Sequence, residues 1–391
     1  MSKYDVAIIG GGLAGSALAV ALAQHQIKCV IIDKCNLKQA PPVPDYRATA
    51  LTAFSVDYLT SLGIWQELAT HAGAIKDIRV TDLDSPFFLH FNQGDMPKGH
   101  EAMGYMIPNK LLQQQVWQTA HNNKAIDKIS EAKIVDIDAD TGIIELDNKK
   151  TINANLICVV DGRSSSTRQQ LGIEHQHKDY GQTAITTNVE HQLPHQQVAL
   201  EKFTPQGPFA TLPLKNPKHS SIVWATTLAR AQYLLGTDKK EFLGHLSREF
   251  CDHFGKLKLI SDIGSYPLSL NYTKQSFTGR AVLVGDAFHA IHPIAGQGYN
   301  LALHDIKTLT HLINERQQVG LDYSNYSTLN SYHLQRRFDV GLMIKTTDIL
   351  DQITTSKLPL MAPLRKLGLA TINKLPQLKR PLIKYAMGLR S

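Results

Sequence analysis

Residues 10–15 read Gly10-Gly11-Gly12-Leu13-Ala14-Gly15, a G-x-G-x-x-G spacing placed directly after the apolar run Val6-Ala7-Ile8-Ile9 and ahead of an Ala-rich stretch over residues 16–24. In that setting Gly10 permits a tight turn, Gly12 lets the backbone approach a pyrophosphate, and Gly15 allows close packing of the helix. The helix N-terminus presents free N–H groups and a positive dipole end to the phosphates. Asp33, closing the run Cys29-Val30-Ile31-Ile32, stands where a carboxylate accepts bonds from ribose hydroxyls. A glycine turn that merely joins a strand to a helix is the plainer reading, and the flanking pattern with Asp33 weighs against it. The turn alone does not separate FAD from NAD. No second turn of this kind occurs, so a nicotinamide would have to bind without a Rossmann unit of its own.

Two later stretches carry more. Asp161-Gly162-Arg163-Ser164-Ser165-Ser166-Thr167-Arg168 fits D-G-x-x-S-x-x-R after an apolar strand, and by itself it could be a capped turn. Residues 279–289 form a strand ending in Gly285-Asp286, followed by His292-Pro293-Ile294-Ala295-Gly296-Gln297-Gly298-Tyr299-Asn300. A carboxylate at Asp286 can hold a ribityl hydroxyl. Gly296 and Gly298 let backbone N–H groups at a helix start face a flavin edge, where they would stabilise negative charge on a reduced ring.

The elements that must position these motifs follow from periodicity. Residues 5–33 read as a βαβ unit. Residues 125–160 alternate short β-type runs with turns and end in Leu156-Ile157-Cys158-Val159-Val160, a meander returning to a parallel sheet. Between about residues 180 and 270 the pattern becomes antiparallel strands with one helix over residues 239–254, an inserted substrate domain. The fold class is therefore α/β, a Rossmann-like domain with that insertion and C-terminal helices. The expected boundaries are 1–75, 106–180 and 271–355 for the dinucleotide domain, 76–105 and 181–270 for the substrate domain, and 356–391 for a basic helical tail.

A chain of 391 residues exceeds what one core usually supports, so two units are expected. Its 43% hydrophobic and 19% charged content is that of an ordinary globular protein. Cys29, Cys35, Cys158 and Cys251 form no C-x-x-C pair and read as buried thiols in a reducing compartment. No export leader and no uninterrupted apolar window long enough to span a bilayer are seen, which predicts a cytoplasmic, soluble or peripheral protein. The net charge of +7 is local, because after Asp351 come eight basic residues and no acid. That tail could lie on an anionic membrane surface or form a solvated helix pair packed on the first domain. Nucleic acid is not expected, since no aromatic-studded basic groove is evident.

Taken in order, the three motifs resemble the single-FAD aromatic hydroxylases related to p-hydroxybenzoate hydroxylase, and the His292–Asn300 run resembles their ubiquinone-biosynthesis branch. The similarity extends to Arg47-Ala48-Thr49-Ala50-Leu51, Tyr266-Pro267-Leu268, residues 332–339 and Ala386-Met387-Gly388. The resemblance implies one FAD, transient reduction by NADPH or NADH, and delivery of an oxygen atom from O2 to an electron-rich prenylated phenol. It further implies a possible place at the inner membrane face or in a ubiquinone-biosynthesis complex.

By the same resemblance, Gly10, Gly12, Gly15 and Asp33 serve the ADP half of FAD, Asp161 is the shared FAD and NAD(P)H aspartate, and Gly285-Asp286 holds the ribityl chain. Pro293, Gly296, Gln297, Gly298 and Asn300 form the loop beside the isoalloxazine. Arg47 lies near flavin and pyrophosphate and is a candidate catalytic group. Asn109 stands where relatives often have Arg or Gln contacting FAD. His289 and His292 are candidates for moving protons, or else structural hydrogen-bonding groups. Val160, Phe288 and Ala302 depart from the family pattern, and Phe288 is expected to narrow the pocket or reorient His289. Alternatives are a different aromatic substrate and a flavin-bound subunit without turnover.

Overall fold

The strand β1 (Ser2–Ile9), helix α1 (Leu13–Gln24) and strand β2 (Cys29–Ile32) build the opening βαβ unit. Next come β3 (Ala48–Thr52), α2 (Ala53–Ser61), α3 (Trp65–Ala69), β4 (Gly73–Ile75), and the pair β5 (Asp77–Asp82) and β6 (Phe88–Phe91). β7 (Gly104–Pro108) runs into α4 (Asn109–Asn122), and β8 (Ile126–Ile129), β9 (Ile134–Asp138) and β10 (Ile143–Leu146) lead back to β11 (Thr151–Val159) and α5 (Ser166–Gln170). A second series follows as β12 (His175–His191), β13 (Val198–Thr204), β14 (Gly207–Pro213), β15 (His219–Thr227), α6 (Leu228–Gly236), α7 (Lys239–Phe250), β16 (Leu257–Leu259) and β17 (Gly264–Thr273). β18 (Phe277–Thr278), β19 (Ala281–Leu283) and β20 (His289–Ala290) precede α8 (Gly298–Gln318), α9 (Tyr326–Thr355) and α10 (Pro376–Ala386). This computed structural model describes residues 2–40, 44, 46–82, 88–204, 206–250, 254–291, 297–355 and 376–389.

The first sheet runs β18-β19-β11-β1-β2-β8, with β19, β11, β1, β2 and β8 parallel. Its central strands read as continuous apolar runs because both faces are covered. Val6 and Ile8 point into one core with Leu18, Leu22, Leu112 and Ile306. Ala7 and Ile9 point into the other with Ile144, Val159 and Leu283. α1 carries Ala17, Leu18, Ala19, Val20, Ala21 and Leu22 all buried, so the helix is apolar nearly all round and is wedged between sheet and helices.

The second sheet runs β20-β17-β12-β15-β14-β13-β5-β6. Its strands pair antiparallel except β13 with β5, which are parallel and bring residues 77–82 alongside residues 198–203. β12 starts at His175, earlier than the apolar pattern indicated; its polar first half pairs with β17 and a register shift between Asp179 and Gln182 resets the alternation. The helix expected near residues 239–254 is α7, and α6 precedes it as a second one. Their apolar sides cover one face of this sheet, where Ile185, Phe209, Ile222 and Trp224 meet Leu234, Phe242, Leu246 and Phe250. Full burial of each such side chain contributes about 1.5–3 kcal/mol.

Cys29 and Cys158 are buried thiols, and burial pushes Cys29 up to about 12. Cys35 is exposed instead, lying on the turn beyond β2, and Cys251 lies outside the described residues. Of the basic tail, residues 356–375 and 390–391 lie outside them too. α10, by Ile383, and Met387 just beyond its end pack against Ala53, Leu89 and Phe91, and Lys379 is held by Asp95 at 2.5 Å. No helix among the described residues is long and apolar enough to cross a membrane.

Candidate active site

A cavity of about 820 Å³ runs from the carboxyl ends of β1 and β11 to the uncovered face of the second sheet. The crevice beyond the carboxyl ends of parallel strands is the general ligand site of open α/β sheets, and this volume is at the upper end of the range for small-molecule sites, about 300–1,000 Å³. Gly12, Leu13 and Ala14 line its floor. Gly10 takes φ +112°, and a Cβ there would lie 2.5 Å from the Val160 carbonyl oxygen; a Cβ on Gly15 would lie 1.8 Å from that of Gly10. At Gly12 a Cβ would meet nothing within 4 Å, since this position faces open space. No side chain caps α1 here, so its first-turn N–H groups are left for an anion.

Asp33 braces the turn: Oδ2 accepts the Gly11 N–H at 2.5 Å and Oδ1 the Cys35 N–H at 2.7 Å. It does not line the cavity. Arg47, on the turn before β3, does, and its guanidinium lies 5.3 Å from the centre of the Tyr266 ring. The Asn109 N–H donates to the Arg47 carbonyl at 3.0 Å, and Asn109 Oδ1 accepts the Thr49 hydroxyl at 2.7 Å. One turn further along α4 stands Gln113, which the motifs did not single out. It is buried, lines the cavity and has an Nε2 without a partner among the described residues. Its i+4 spacing from Asn109 is the signal that could have found it.

The second motif joins the third. Ser165 caps α5 by accepting the Arg168 N–H at 2.9 Å. Arg168 is buried and donates from Nη1 to the Ala287 carbonyl at 2.9 Å, which ties this turn to the Gly285–Ala287 turn. Asp161 accepts the Thr167 N–H through Oδ2 at 3.3 Å, while its buried Oδ1 has no partner among the described residues. Gly162 and Arg163 line the cavity, and Arg163 donates to the Ser269 hydroxyl at 3.0 Å, reaching the second sheet.

Asp286 lines the cavity and is open to it. Protein surrounds it on the other sides, and this burial raises its carboxyl above the ordinary range although His289, Arg163 and Arg47 pull it down. His289 is not on the cavity wall: it is fully buried, and Nε2 lies 2.7 Å from Asp305 Oδ2. Because an ionised carboxylate only accepts, Nε2 carries the proton. Asp305 also accepts the Gly285 N–H at 2.9 Å and the Arg336 Nε–H at 2.6 Å, and Arg336 reaches Asp339. Burial would raise Asp305, but His289 and Arg336 hold it down to about 2. Of the two expectations for His289, moving protons or structural hydrogen bonding, a side chain locked behind the wall fits the second. Phe288 likewise packs into the core with Ala287 and Val340 and does not narrow the cavity.

Gln297, Gly298 and Tyr299, at the start of α8, line the cavity. Asn300 does not. Its Oδ1 accepts the Thr52 N–H at 3.1 Å and the Ser55 hydroxyl at 2.7 Å, and Nδ2 donates to the Ala50 carbonyl at 2.8 Å, so this side chain fastens α8 to β3 and α2. Pro293 and Gly296, with His292, lie outside the described residues.

The far wall is the second sheet. Hydrogen-bonded register sets Thr186, Val223, Ala210 and Glu201 in one row across β12, β15, β14 and β13, and all four line the cavity. Leu212, Ala199 and Ala225 on the same face keep this wall apolar. Thr186 adds a hydroxyl, Glu201 is the charged exception, and burial pushes its carboxyl up to about 7.

The cavity therefore pairs an uncapped helix N-terminus and a cradle at Gly12 with an orphaned polar atom on its wall among the described residues, Gln113 Nε2. These are the features a dinucleotide would complete, and FAD fits them. The model of the family described as FAD binding domain matches residues 3–338. Ubiquinone hydroxylase UbiL of Rhodospirillum rubrum is 35% identical over 98% of this chain and 89% of its own. 3-demethoxyubiquinol 3-hydroxylase of Escherichia coli is 29% identical over 98% of both. Among solved structures, p-nitrophenol 4-monooxygenase PnpA of Pseudomonas putida superposes with a TM-score of 0.81 over the full length of both chains at 15% identity, which speaks for the fold. The chain belongs to the FAD binding domain family, in its group of FAD-dependent ubiquinone-biosynthesis hydroxylases.

Proposed function

We propose that this chain hydroxylates the ring of a prenylated phenol on the route to ubiquinone, using FAD, NADPH or NADH, and O2. The observation that carries this reading is the single cavity that joins the α1 N-terminus and Asp286 to a wall of Leu212, Ala199, Val223 and Ala225. One end suits a dinucleotide, the other an apolar ring and chain. The names of the relatives, hydroxylases of ubiquinone and of a demethoxyubiquinol, agree with it.

FAD would supply the redox chemistry and the activation of oxygen. On this reading Gly12 and the first turn of α1 hold the pyrophosphate, with Asp33 keeping the glycine turn in shape. Asp286 receives ribityl hydroxyls, and Gln113 and Asn109 donate amide N–H groups to the cofactor. Arg47 and Arg163 place positive charge at the junction of the two halves. The start of α8, at Gln297 and Gly298, turns its N–H groups to the ring edge. The exposed outer side of α10, with Arg380, Leu382 and Lys384, suits contact with an anionic membrane that stores such a substrate.

Purified protein should carry FAD, oxidise NAD(P)H when 2-prenylphenol is added, and yield a product heavier by one oxygen in mass spectrometry. Bound flavin with no oxidation by any phenol would sink this reading. A smaller effect is expected from Gln113→Leu. Losing one cofactor hydrogen bond, about 0.5–1.5 kcal/mol net, should weaken FAD binding by roughly two- to tenfold in a flavin fluorescence titration. Unchanged affinity would show that Nε2 does not meet the cofactor.

A further inference from the structure

Glu201 stands on an apolar wall at the end of the cavity away from the glycine turn. β13 is a middle strand of the second sheet, and its alternation points Glu201 to the same face as Ala199. Its row neighbours are Ala210 on β14 and Val80 on β5. Among the described residues the side chain has no hydrogen-bond or ion-pair partner, although it is only partly accessible. A carboxylate so placed is costly, because charge leaving water without a partner is not repaid. Such a group is a candidate for function, not packing.

Among the described residues no charge on the surrounding elements offsets it. On β14 the cavity-facing residues are Pro208, Ala210 and Leu212, on β15 Ser221, Val223 and Ala225, on β12 Ala184 and Thr186, and on β5 Ile78. On α9, which packs on β13 and β14, Lys345 is exposed and Asp348 is taken up by Lys178 and Tyr180. Among the described residues, the charged groups of the cavity other than Glu201 are Arg47, Arg163 and Asp286 at the flavin end, and its phenols are Tyr46, Tyr266 and Tyr299.

We infer that Glu201 is the acid–base group of the substrate half: its carboxylate accepts the hydroxyl proton of the phenol while the ring is attacked. The O–H bond breaks, its electron pair stays on oxygen and is shared with the ring, and the proton is held as the neutral carboxylic acid. The ring carbon becomes more electron-rich as it takes up oxygen. A carboxyl pushed up to about 7 by burial suits this task, since a base works best with a pKa close to the working pH. The inference rests on the aromatic hydroxylation proposed above.

The test compares the wild-type holoenzyme with Glu201→Gln, using 2-prenylphenol and a ring-fluorinated analogue with a more acidic hydroxyl. Wild-type hydroxylation should rise with pH through a midpoint near 7, the value of the buried carboxyl. In E201Q that limb should vanish, the product formed per NAD(P)H consumed should drop, and hydroxylation should fall by about 10²- to 10⁴-fold, as for lost general-base catalysis. The deficit should shrink with the fluorinated ring, which needs the base less. E201Q hydroxylating 2-prenylphenol at the wild-type rate with the limb intact would overturn the inference and leave the function standing. Wild-type protein that binds FAD but never hydroxylates a phenol would bring down the function itself.

Thermal unfolding gives a measure that does not need turnover. A carboxyl raised in the fold destabilises it increasingly as pH climbs from its ordinary value of 4.5 to about 7, and fully above. E201Q should therefore melt with the wild type near pH 4.5 and above it at pH 8. An equal melting temperature at both pH values would refute the raised carboxyl and the inference with it.

Discussion

Asp305→Ala should cost about 3–5 kcal/mol of stability, the penalty for stripping one partner from a buried ion pair, and should yield protein without FAD. Asp305 is fully buried between helices, and three groups depend on it: Arg336 Nε at 2.6 Å, His289 Nε2 at 2.7 Å and the Gly285 N–H at 2.9 Å. Its removal leaves the Arg336 guanidinium in a dry interior and an unpaired N–H at the turn that aims Asp286 into the cavity. Asp305→Asn, which keeps an acceptor but not the charge, should fall between. The pH dependence has a definite sign. A carboxyl held down to about 2 against an ordinary 3.8 stabilises the fold fully above its ordinary value, and that contribution is lost as pH falls from about 4 to about 2. Urea unfolding of wild type should show this loss, and D305N should lack it. A D305A protein that stays yellow and unfolds at the wild-type urea concentration would show that the network does not hold the turn.

What the sequence revealed divides along the range of the interactions. The glycine turn, the meander and the helix starts were legible because each is decided within a few residues: a strand run, a glycine at a forced φ, a serine able to cap. His289 was not, because its meaning lies in Asp305 on α8 and Arg336 on α9, both folded back onto the turn. Asn300 sits in the most distinctive motif of the chain, yet its side chain is consumed by residues some 250 positions earlier. Glu201 could be read from alternation within Val198–Thr204 as sharing a face with Ala199. Only the register with β14 and β5 says that this face closes a cavity. β12 ran longer than expected for a similar reason, since polar residues 175–179 qualify as strand only through their pairing with β17.

Gly15→Val should give a chain that either fails to accumulate or is purified colourless, with FAD affinity reduced by more than 100-fold. The reason is a stack of close approaches that leaves nowhere to move. A Cβ on residue 15 would stand 1.8 Å from the Gly10 carbonyl oxygen, well inside contact distance. Gly10 cannot withdraw, because its own Cα faces the Val160 backbone, where a Cβ would meet oxygen at 2.5 Å, and its N–H is bonded to the Ile32 carbonyl at 2.8 Å. The first turn of α1 must therefore unwind or tilt, and with it goes the array of N–H groups that faces the pyrophosphate. Overpacking of this kind costs at least about 1–3 kcal/mol in the fold, to which the loss of the anion site is added. Gly12→Ala is the matched control for the two effects. Its Cβ meets no protein atom within 4 Å, so the variant should fold with a wild-type melting temperature as apoprotein and bind FAD more weakly only because the methyl enters the space of the phosphates. Equal loss of stability in the Gly12 and Gly15 variants would show that the turn is a packing feature alone, and retention of flavin by Gly15→Val would place the cofactor elsewhere.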